Sequence, residues 1–186
     1  MKPFDVMSSL QKSRQNLNIL AWNIDTGARK KSNEIGEILD NHDVDLSGLL
    51  ETDVPVANGK VPLNFNGYTT ILPKHRSKNL SRMVVLVKEQ LMSSVTVLEE
   101  LMSPLFPSVW LSVQSKYQTK IIICFFYRMW QDNNSSTSIY DQQERLNIFL
   151  EQMSKATKMG SHVTVFGDAN LDTNKFDNPS YPLHSM

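Results

Sequence analysis

The alternation of apolar runs with polar interruptions along the chain predicts short strands and two helices. Residues 17–22 form an apolar run that ends at Asn23, and residues 44–50 form a second run that ends at Glu51. Between these runs, residues 33–41 carry apolar side chains at helical spacing, with acidic side chains on the opposite face. A strand, a helix and a strand of these lengths favour parallel pairing of the two strands.

The middle of the chain has the pattern of an antiparallel meander. Residues 53–67 are rich in Pro, Asn and Gly and are predicted to form a loop. Short apolar runs separated by polar turns follow, as is typical of strands joined by short connections. The predicted strands cover residues 68–72, 83–87, 95–98, 109–113 and 121–127.

The last part of the pattern predicts a second strand–helix–strand unit. Residues 139–158 carry apolar side chains at helical spacing, and Gly160 is a suitable helix stop. Residues 163–166 form the last apolar run, and the residues after Asn170 are predicted to form loops. The order of the elements therefore indicates an α/β domain with two similar halves.

Length and composition predict that the chain forms one globular domain. The chain has 186 residues, of which 40% are hydrophobic and 20% are charged, and a chain of this kind forms one core. Lys plus Arg and Asp plus Glu number 19 each. The net charge therefore does not indicate a strongly basic nucleic-acid-binding protein.

Cysteine content and targeting patterns bear on localisation. The single cysteine, Cys124, lies inside an apolar run and has no partner for an internal disulfide, which favours a reducing compartment. No stretch has the pattern of a signal peptide or the length of a membrane span. These features predict a soluble intracellular protein and do not distinguish the nucleus from the cytoplasm.

A local cluster of basic residues interrupts this balanced charge. The cluster consists of Lys74, His75, Arg76, Lys78 and Arg82, with no acidic residue between them. Four of its members, the lysines and arginines, are candidate contacts to substrate phosphates. The alternative is a solvated loop between two strands, which is a common place for such charges.

Polar side chains stand at or just beyond the ends of four predicted strands. In open α/β sheets, sites gather at the carboxyl ends of the strands, so we expect these side chains to lie close together. Such a set of carboxylates, amides, a phenol and a guanidinium suits a hard divalent cation and an anionic oxygen substrate. The side chains are those of Asn23, of Glu51, of Tyr127 with Arg128, and of Asp168 with Asn170.

Each of these residues also has a purely structural interpretation. Glu51 would be a solvated strand exit, Asn23 would begin a turn, and Asp168 with Asn170 would be ordinary turn residues. Tyr127 would be a core aromatic residue whose hydroxyl reaches solvent, and Arg128 would be a surface charge. The coincidence of all four positions with strand ends favours the functional interpretation.

Sequence motifs of other kinds of catalytic site are absent from the chain. The chain has no Gly-x-x-x-x-Gly-Lys phosphate loop and no Gly-x-Ser-x-Gly nucleophile elbow. Its four histidines are scattered, and it has no cysteine pair, so a zinc site is unsupported.

Four segments resemble motifs of the endonuclease/exonuclease/phosphatase superfamily, most closely those of the apurinic-type endonuclease domain of non-LTR retrotransposons. The segments are residues 17–27, 45–52, 126–128 and 165–170, which follow one another in the order and spacing of the family. The resemblance covers residues 17–175. It implies a four-layer α/β sandwich of two mixed β-sheets flanked by helices.

The resemblance also implies an Mg²⁺-dependent phosphodiesterase, with Mn²⁺ as an alternative ion. Glu51 would bind the metal, and Asn23 beside it would orient the ligand shell. Tyr127 would hydrogen-bond the scissile phosphate. Asp168 would accept a proton from the attacking water, and Asn170 would hold that water or a phosphate oxygen in line.

The chain departs from the family pattern after Asn170. The pattern continues with further strands and a Ser-Asp-His-like motif, and none of the histidines in this chain takes that place. We therefore expect a C-terminally truncated domain whose second sheet is incomplete and whose catalytic activity is impaired. The expected organisation is a flexible segment at residues 1–16, the domain at residues 17–175 and a loop-like tail at residues 176–186.

Three functions are compatible with this resemblance. The first is a metal-dependent endonuclease that cleaves DNA by attack of water on a phosphodiester. The second is a non-catalytic remnant or nucleic-acid-binding module, and the third is a phosphodiesterase or phosphatase acting on lipid or inositol phosphates. The expected partner is the phosphate backbone of DNA, with no membrane and no obligate protein partner.

Overall fold

The computed structural model describes residues 16–57, 59, 61–74, 80–114, 120–128, 139–160 and 162–170, without the side chains of residues 139–141. Two of the predicted phosphate contacts, Arg76 and Lys78, lie outside the described residues. Residues 1–15 of the predicted N-terminal segment and the predicted tail also lie outside them.

The first half of the domain forms one mixed sheet. Its strands are β1 (Ile19–Asn23), β2 (Leu46–Pro55), β3 (Tyr68–Ile71) and β4 (Leu80–Lys88), in the order β1-β2-β4-β3. Helix α1 (Ser32–Asn41) connects β1 to β2, which pair in parallel as predicted, whereas the other pairs are antiparallel.

The second half forms another mixed sheet. Its strands are β5 (Val95–Val97), β6 (Ser108–Gln114), β7 (Lys120–Tyr127) and β8 (His162–Asp168), in sequential order. Helix α2 (Ile139–Met159) connects β7 to β8, which pair in parallel, so the second predicted strand–helix–strand unit is confirmed. Within the described ranges, no helix combines the length and apolarity needed to cross a lipid bilayer.

The two sheets pack face to face, with one helix on each outer face. Successive residues of a strand point to opposite faces. Leu50 of β2 therefore joins the core between the sheets, whereas Leu49 packs with Leu39 of α1. On the other side, the ring of Phe149 in α2 lies 4.7 Å from the ring of Phe126 in β7. The predicted four-layer sandwich is confirmed, and the incompleteness of the second sheet stays a prediction.

Gly48 sets the spacing of the sheets close to the strand ends. A Cβ atom at this position would lie 2.2 Å from the Cδ1 atom of Phe125 on the opposite sheet, a distance at which atoms overlap. The missing side chain thus lets β2 approach β7 closely. Glu51 and Tyr127 follow these two residues along their strands, so the close approach lies next to the site that they form.

Two predicted boundaries were wrong, and both errors concern polar residues inside strands. Strand β2 does not end before Glu51 but continues to Pro55 through an irregular segment, because Val54 still pairs with Ser81 of β4. Strand β4 begins at Leu80, so Arg82 lies in a strand and not in the predicted loop. Local polarity indicated loops here, whereas backbone pairing between distant strands decided the structure.

Candidate active site

The carboxyl ends of four strands meet at one edge of the sandwich. Asn23, Tyr127 and Asp168 are the last residues of β1, β7 and β8. Glu51 follows Leu50, after which the regular register of β2 with β4 is interrupted. Because each parallel pair directs its carboxyl ends the same way and the sheets are stacked, polar side chains from both sheets are brought together.

Asn23 and Asp168 form the first contact between the sheets in this site. The Nδ2 atom of Asn23 donates a hydrogen bond of 2.9 Å to Oδ2 of Asp168. The backbone N–H of Asn170 donates to Oδ1 of the same carboxylate at 2.7 Å, and the backbone N–H of Asp25 donates to the side-chain Oδ1 of Asn23 at 3.0 Å. Both carboxylate oxygens of Asp168 therefore accept a directed hydrogen bond, which orients the group.

Tyr127 and Glu51 form the second contact. The Tyr127 hydroxyl donates a hydrogen bond of 3.0 Å to Oε1 of Glu51. Burial raises the pKa of Tyr127 to about 12, although the nearby positive charge of Arg82 and a hydrogen bond from Asn170 partly oppose this effect. Tyr127 is therefore a protonated donor at neutral pH.

Arg128 holds the backbone that carries Asp168 and Asn170. Its N–H donates to the carbonyl of Asp168 at 2.8 Å, and its Nη1 donates to the carbonyl of Ala169 at 3.1 Å. In return, Nδ2 of Asn170 donates to the Arg128 carbonyl at 2.7 Å. Arg128 is only 2% exposed, so the interpretation as a surface charge is wrong, and its contact with substrate stays a prediction.

The backbone is strained around this group of side chains. Glu51 and Asp53 have φ values of +56° and +44°, and Asn170 has a φ value of +48°. Asp25 and Thr26, which follow Asn23 in the next loop, have φ values of 48° and 60°. Left-handed conformations of non-glycine residues cost on the order of 1–3 kcal/mol each and are concentrated at functional sites. Their clustering here supports a functional interpretation of the edge.

The two predicted phosphate contacts that the structure describes, Lys74 and Arg82, lie in different parts of the fold. Lys74 lies beside the short helical turn Glu99–Leu101, where its Nζ atom donates a hydrogen bond of 2.7 Å to the carbonyl of Glu99. Arg82 lies at the site, with its Nε atom 2.8 Å from Oδ1 of Asp53 and its guanidinium over the ring of Tyr127. Asp53 was not among the predicted site residues, because a residue in an irregular strand segment has no distinctive hydrophobic pattern around it.

An open cavity of about 340 Å³ lies beside Asn23, Asp168 and Asn170. Nearby carboxylate and amide oxygens are the ligands that Mg²⁺ prefers, and this ion keeps several water molecules, taking one or two carboxylates together with substrate phosphates. In the described part of the chain, no three His, Cys, Asp or Glu residues form a metal cluster. The cavity is lined by Ala21, Asn23, Leu50, Gly167, Asp168, Ala169 and Asn170.

Comparison with known proteins identifies the fold. The sequence matches no protein-family model and no curated protein. Among solved structures, the endonuclease domain of TRAS1, a telomere-specific non-LTR retrotransposon, is similar with a TM-score of 0.60 and 15% identity. The similarity covers 86% of this chain and 63% of that domain.

Two further structures have the same architecture. The catalytic domain of human nocturnin is similar with a TM-score of 0.53 and 15% identity, over 88% of this chain and 69% of that one. An endonuclease/exonuclease/phosphatase family protein from Bacteroides thetaiotaomicron is similar with a TM-score of 0.51 and 13% identity, over 85% and 63%. The chain therefore has the fold of the endonuclease/exonuclease/phosphatase superfamily, as its motifs predicted.

Proposed function

We propose that the protein is a divalent-metal-dependent phosphodiesterase of the endonuclease type that acts on DNA. The observation that carries this proposal is the pairing of Asn23 with Asp168 and of Tyr127 with Glu51 at one edge of the sandwich. The pairs present an oriented carboxylate, a second carboxylate and a protonated phenol, and an open cavity lies beside the pair of Asn23 and Asp168.

In this proposal Glu51 holds the metal. Its carboxylate is the hard oxygen ligand that Mg²⁺ requires, with Mn²⁺ as an alternative ion. The bound metal would stabilise the negative charge that develops on the phosphate oxygens. The hydrogen bond from Tyr127 orients the Glu51 carboxylate, so loss of the phenol would also weaken metal binding.

Asp168 is the proposed general base. Its hydrogen bonds from Asn23 and Asn170 fix the direction of its carboxylate, as a base that must reach one particular water molecule requires. The water oxygen forms a bond to phosphorus while its proton moves to Asp168. The bond between phosphorus and the leaving oxygen breaks, and that oxygen takes a proton from solvent.

Tyr127 and Asn170 are the proposed donors to the phosphate, and the single hydroxyl proton of Tyr127, which Glu51 accepts in this structure, would turn to a phosphate oxygen once substrate is bound. The Tyr127 hydroxyl can donate to a phosphate oxygen at neutral pH, because a phenol with the ordinary pKa of 10.0 is already protonated there and burial raises the pKa of Tyr127 further. Asn170 is held by the Arg128 carbonyl, which limits the rotation of its amide. Preorganised donors of this kind stabilise a transition state because they need no reorientation as charge develops.

DNA is the proposed substrate because the sequence motifs and the similar TRAS1 domain, named as an endonuclease, agree. Lys74, Arg76, Lys78 and Arg82 remain proposed phosphate contacts. We expect slow cleavage, since no three His, Cys, Asp or Glu side chains of the described residues come together as a metal site.

Nicking of supercoiled plasmid and of an abasic duplex, with Mg²⁺ and with EDTA, tests the proposal. We expect slow, metal-dependent nicking that Asp168→Asn and Glu51→Gln each reduce by about 100-fold or more. Lys155→Met, which changes an exposed lysine of α2, is the control for both variants. Nicking that is unaffected by Asp168→Asn would show that a contaminating nuclease or another site is responsible.

Calorimetric titration with Mg²⁺ and DNA-binding measurements separate the alternatives. Metal binding that is lost in Glu51→Gln supports a formed site. DNA binding without metal binding or nicking would instead favour the non-catalytic nucleic-acid-binding module. Cleavage of a phosphoinositide in preference to DNA would move the activity to the lipid or inositol phosphate class.

A further inference from the structure

Arg82 contacts two different parts of the candidate site. Its guanidinium carbon lies 5.2 Å from the centre of the Tyr127 ring. Its Nε atom lies 2.8 Å from Oδ1 of Asp53. The side chains of Arg82 and Asp53 are 20% and 32% exposed, so the ion pair is partly shielded from solvent.

Through these two contacts, Arg82 is connected to both sides of the hydrogen bond between Tyr127 and Glu51. Asp53 lies two residues after Glu51, in the segment of β2 where the register with β4 shifts. Arg82 therefore holds the strand segment that carries Glu51 and, at the same time, the ring of its partner Tyr127. A single side chain of the first sheet thus restrains both ends of a hydrogen bond between the two sheets.

We propose that Arg82 is a positioning residue that holds the Tyr127 hydroxyl on Glu51. A guanidinium over an aromatic face is attracted by the ring quadrupole, and its planar shape restrains the ring better than an ammonium group does. The ion pair with Asp53 restrains the guanidinium at its place over the ring. The catalytic consequence rests on the function proposed above, whereas the structural consequence does not.

The positioning role competes with a direct phosphate contact, which the sequence pattern suggested for Arg82. A positioning residue acts through Tyr127, so its removal lowers kcat and has no effect once the phenol is gone. A phosphate contact acts on the substrate, so its removal raises KM and persists without the phenol. The two roles therefore give opposite results in a double-mutant cycle.

The kinetic experiment compares Arg82→Met, Tyr127→Phe and the double variant in the nicking assay. We expect Arg82→Met to lower kcat by about 2- to 30-fold, the range that a cation–π contact supports, with little change in KM. In the Tyr127→Phe background, Arg82→Met should change kcat by less than about twofold. A KM effect that is the same in both backgrounds would overturn the proposal, and Lys155→Met is the matched charge control.

A second measurement is independent of activity. Tyrosine labelled with ¹³C at Cζ reports the exchange of the hydroxyl proton, which the bond to Glu51 slows. We expect exchange at Tyr127 to be about 2- to 30-fold faster in Arg82→Met and partly restored in Arg82→Lys, because lysine keeps the charge without the planar group. Unchanged exchange in Arg82→Met would overturn the proposal.

This measurement distinguishes failure of the inference from failure of the proposed function. Wild-type protein without nicking activity would contradict the phosphodiesterase proposal, yet hydroxyl exchange would still test the role of Arg82. If Arg82→Met does not fold, Asp53→Asn gives the second test. It releases the guanidinium from its ion pair, so exchange at Tyr127 should again become faster, and unchanged exchange would overturn the proposal.

Discussion

Asn23 donates a 2.9 Å hydrogen bond to Asp168, although the two residues are 145 positions apart in the sequence. Asn23 ends β1, an edge strand of the first sheet, and Asp168 ends β8, an edge strand of the second. The contact therefore forms only when β1 and β8, which are edge strands among the described residues, are paired in their sheets and the two sheets are stacked. The orientation of the proposed base depends on the assembled sandwich and not on a local motif.

Removal of the Asn23 amide should reduce catalysis more than stability. Asn23→Ala deletes the donor to Asp168, and we expect the nicking rate to fall by about 10- to 100-fold, since one positioned group is lost. Initial rates of plasmid nicking at saturating Mg²⁺ measure this change. The control is Asn18→Ala, which removes an amide bonded to the carbonyls of His42 and Asp43. Equal losses of rate in both variants would contradict the assigned role.

Tyr127 should make the stability of the protein sensitive to alkaline pH. Its pKa is raised from 10.0 to about 12, chiefly by burial. Between these values the folded state holds the proton more tightly than the unfolded state, so the free energy of unfolding falls as pH rises. The contribution is fully present below pH 10 and is lost as pH rises through about 12.

Urea unfolding at pH 8, 10 and 11 measures this effect. The urea midpoint of the wild type should fall more steeply above pH 10 than that of Tyr127→Phe, which has no hydroxyl to ionise. Parallel curves for the two proteins would show that Tyr127 does not have the raised pKa.

Gly167 should not tolerate a side chain. A Cβ atom there would lie 2.2 Å from the carbonyl oxygen of Phe126 and 2.5 Å from its Cδ1 atom. Because one neighbour is backbone, Gly167→Ala should lower the free energy of unfolding by about 1–3 kcal/mol and should displace Asp168. Thermal or urea unfolding measures the loss.

At Gly36 in α1, the same substitution should change the free energy of unfolding in the opposite direction. A Cβ atom at Gly36 has no neighbour within 4 Å. Gly36→Ala should therefore raise the free energy of unfolding by about 0.5–1 kcal/mol through helix propensity. A similar response of both glycines would contradict the described packing of β7 against β8.

Gln152 should be a stability determinant of the second sheet. Its Oε1 atom accepts hydrogen bonds from Oγ of Ser108 at 3.1 Å and from Nε1 of Trp110 at 3.2 Å, all in buried positions. Gln152→Leu leaves both donors buried without this acceptor and should cost about 1–3 kcal/mol. Gln143→Ala, which breaks an exposed bond to Asn147, should change stability by less than about 0.5 kcal/mol. Equal effects of the two substitutions would contradict the proposed buried network.

Much of the fold was predictable because its elements have strong periodic patterns. The alternating and helical runs predicted both strand–helix–strand units, and the four motifs predicted the superfamily fold. The wrong boundaries concern Glu51 to Pro55 and Leu80 to Arg82, where polar residues lie in strands. Their conformation follows from pairing between β2 and β4, which a local pattern does not encode.

The sequence by itself determined which polar residues follow the apolar runs, because strand periodicity and strand ends are local properties of the chain. Only the tertiary structure decided which of them meet. It joined Asn23 to Asp168 and Tyr127 to Glu51, buried Arg128, and moved Arg82 from a predicted loop onto the Tyr127 ring. The physical reason is that these contacts connect separate strands and mostly separate sheets, so they depend on how closely the sheets pack and on the register of distant strands.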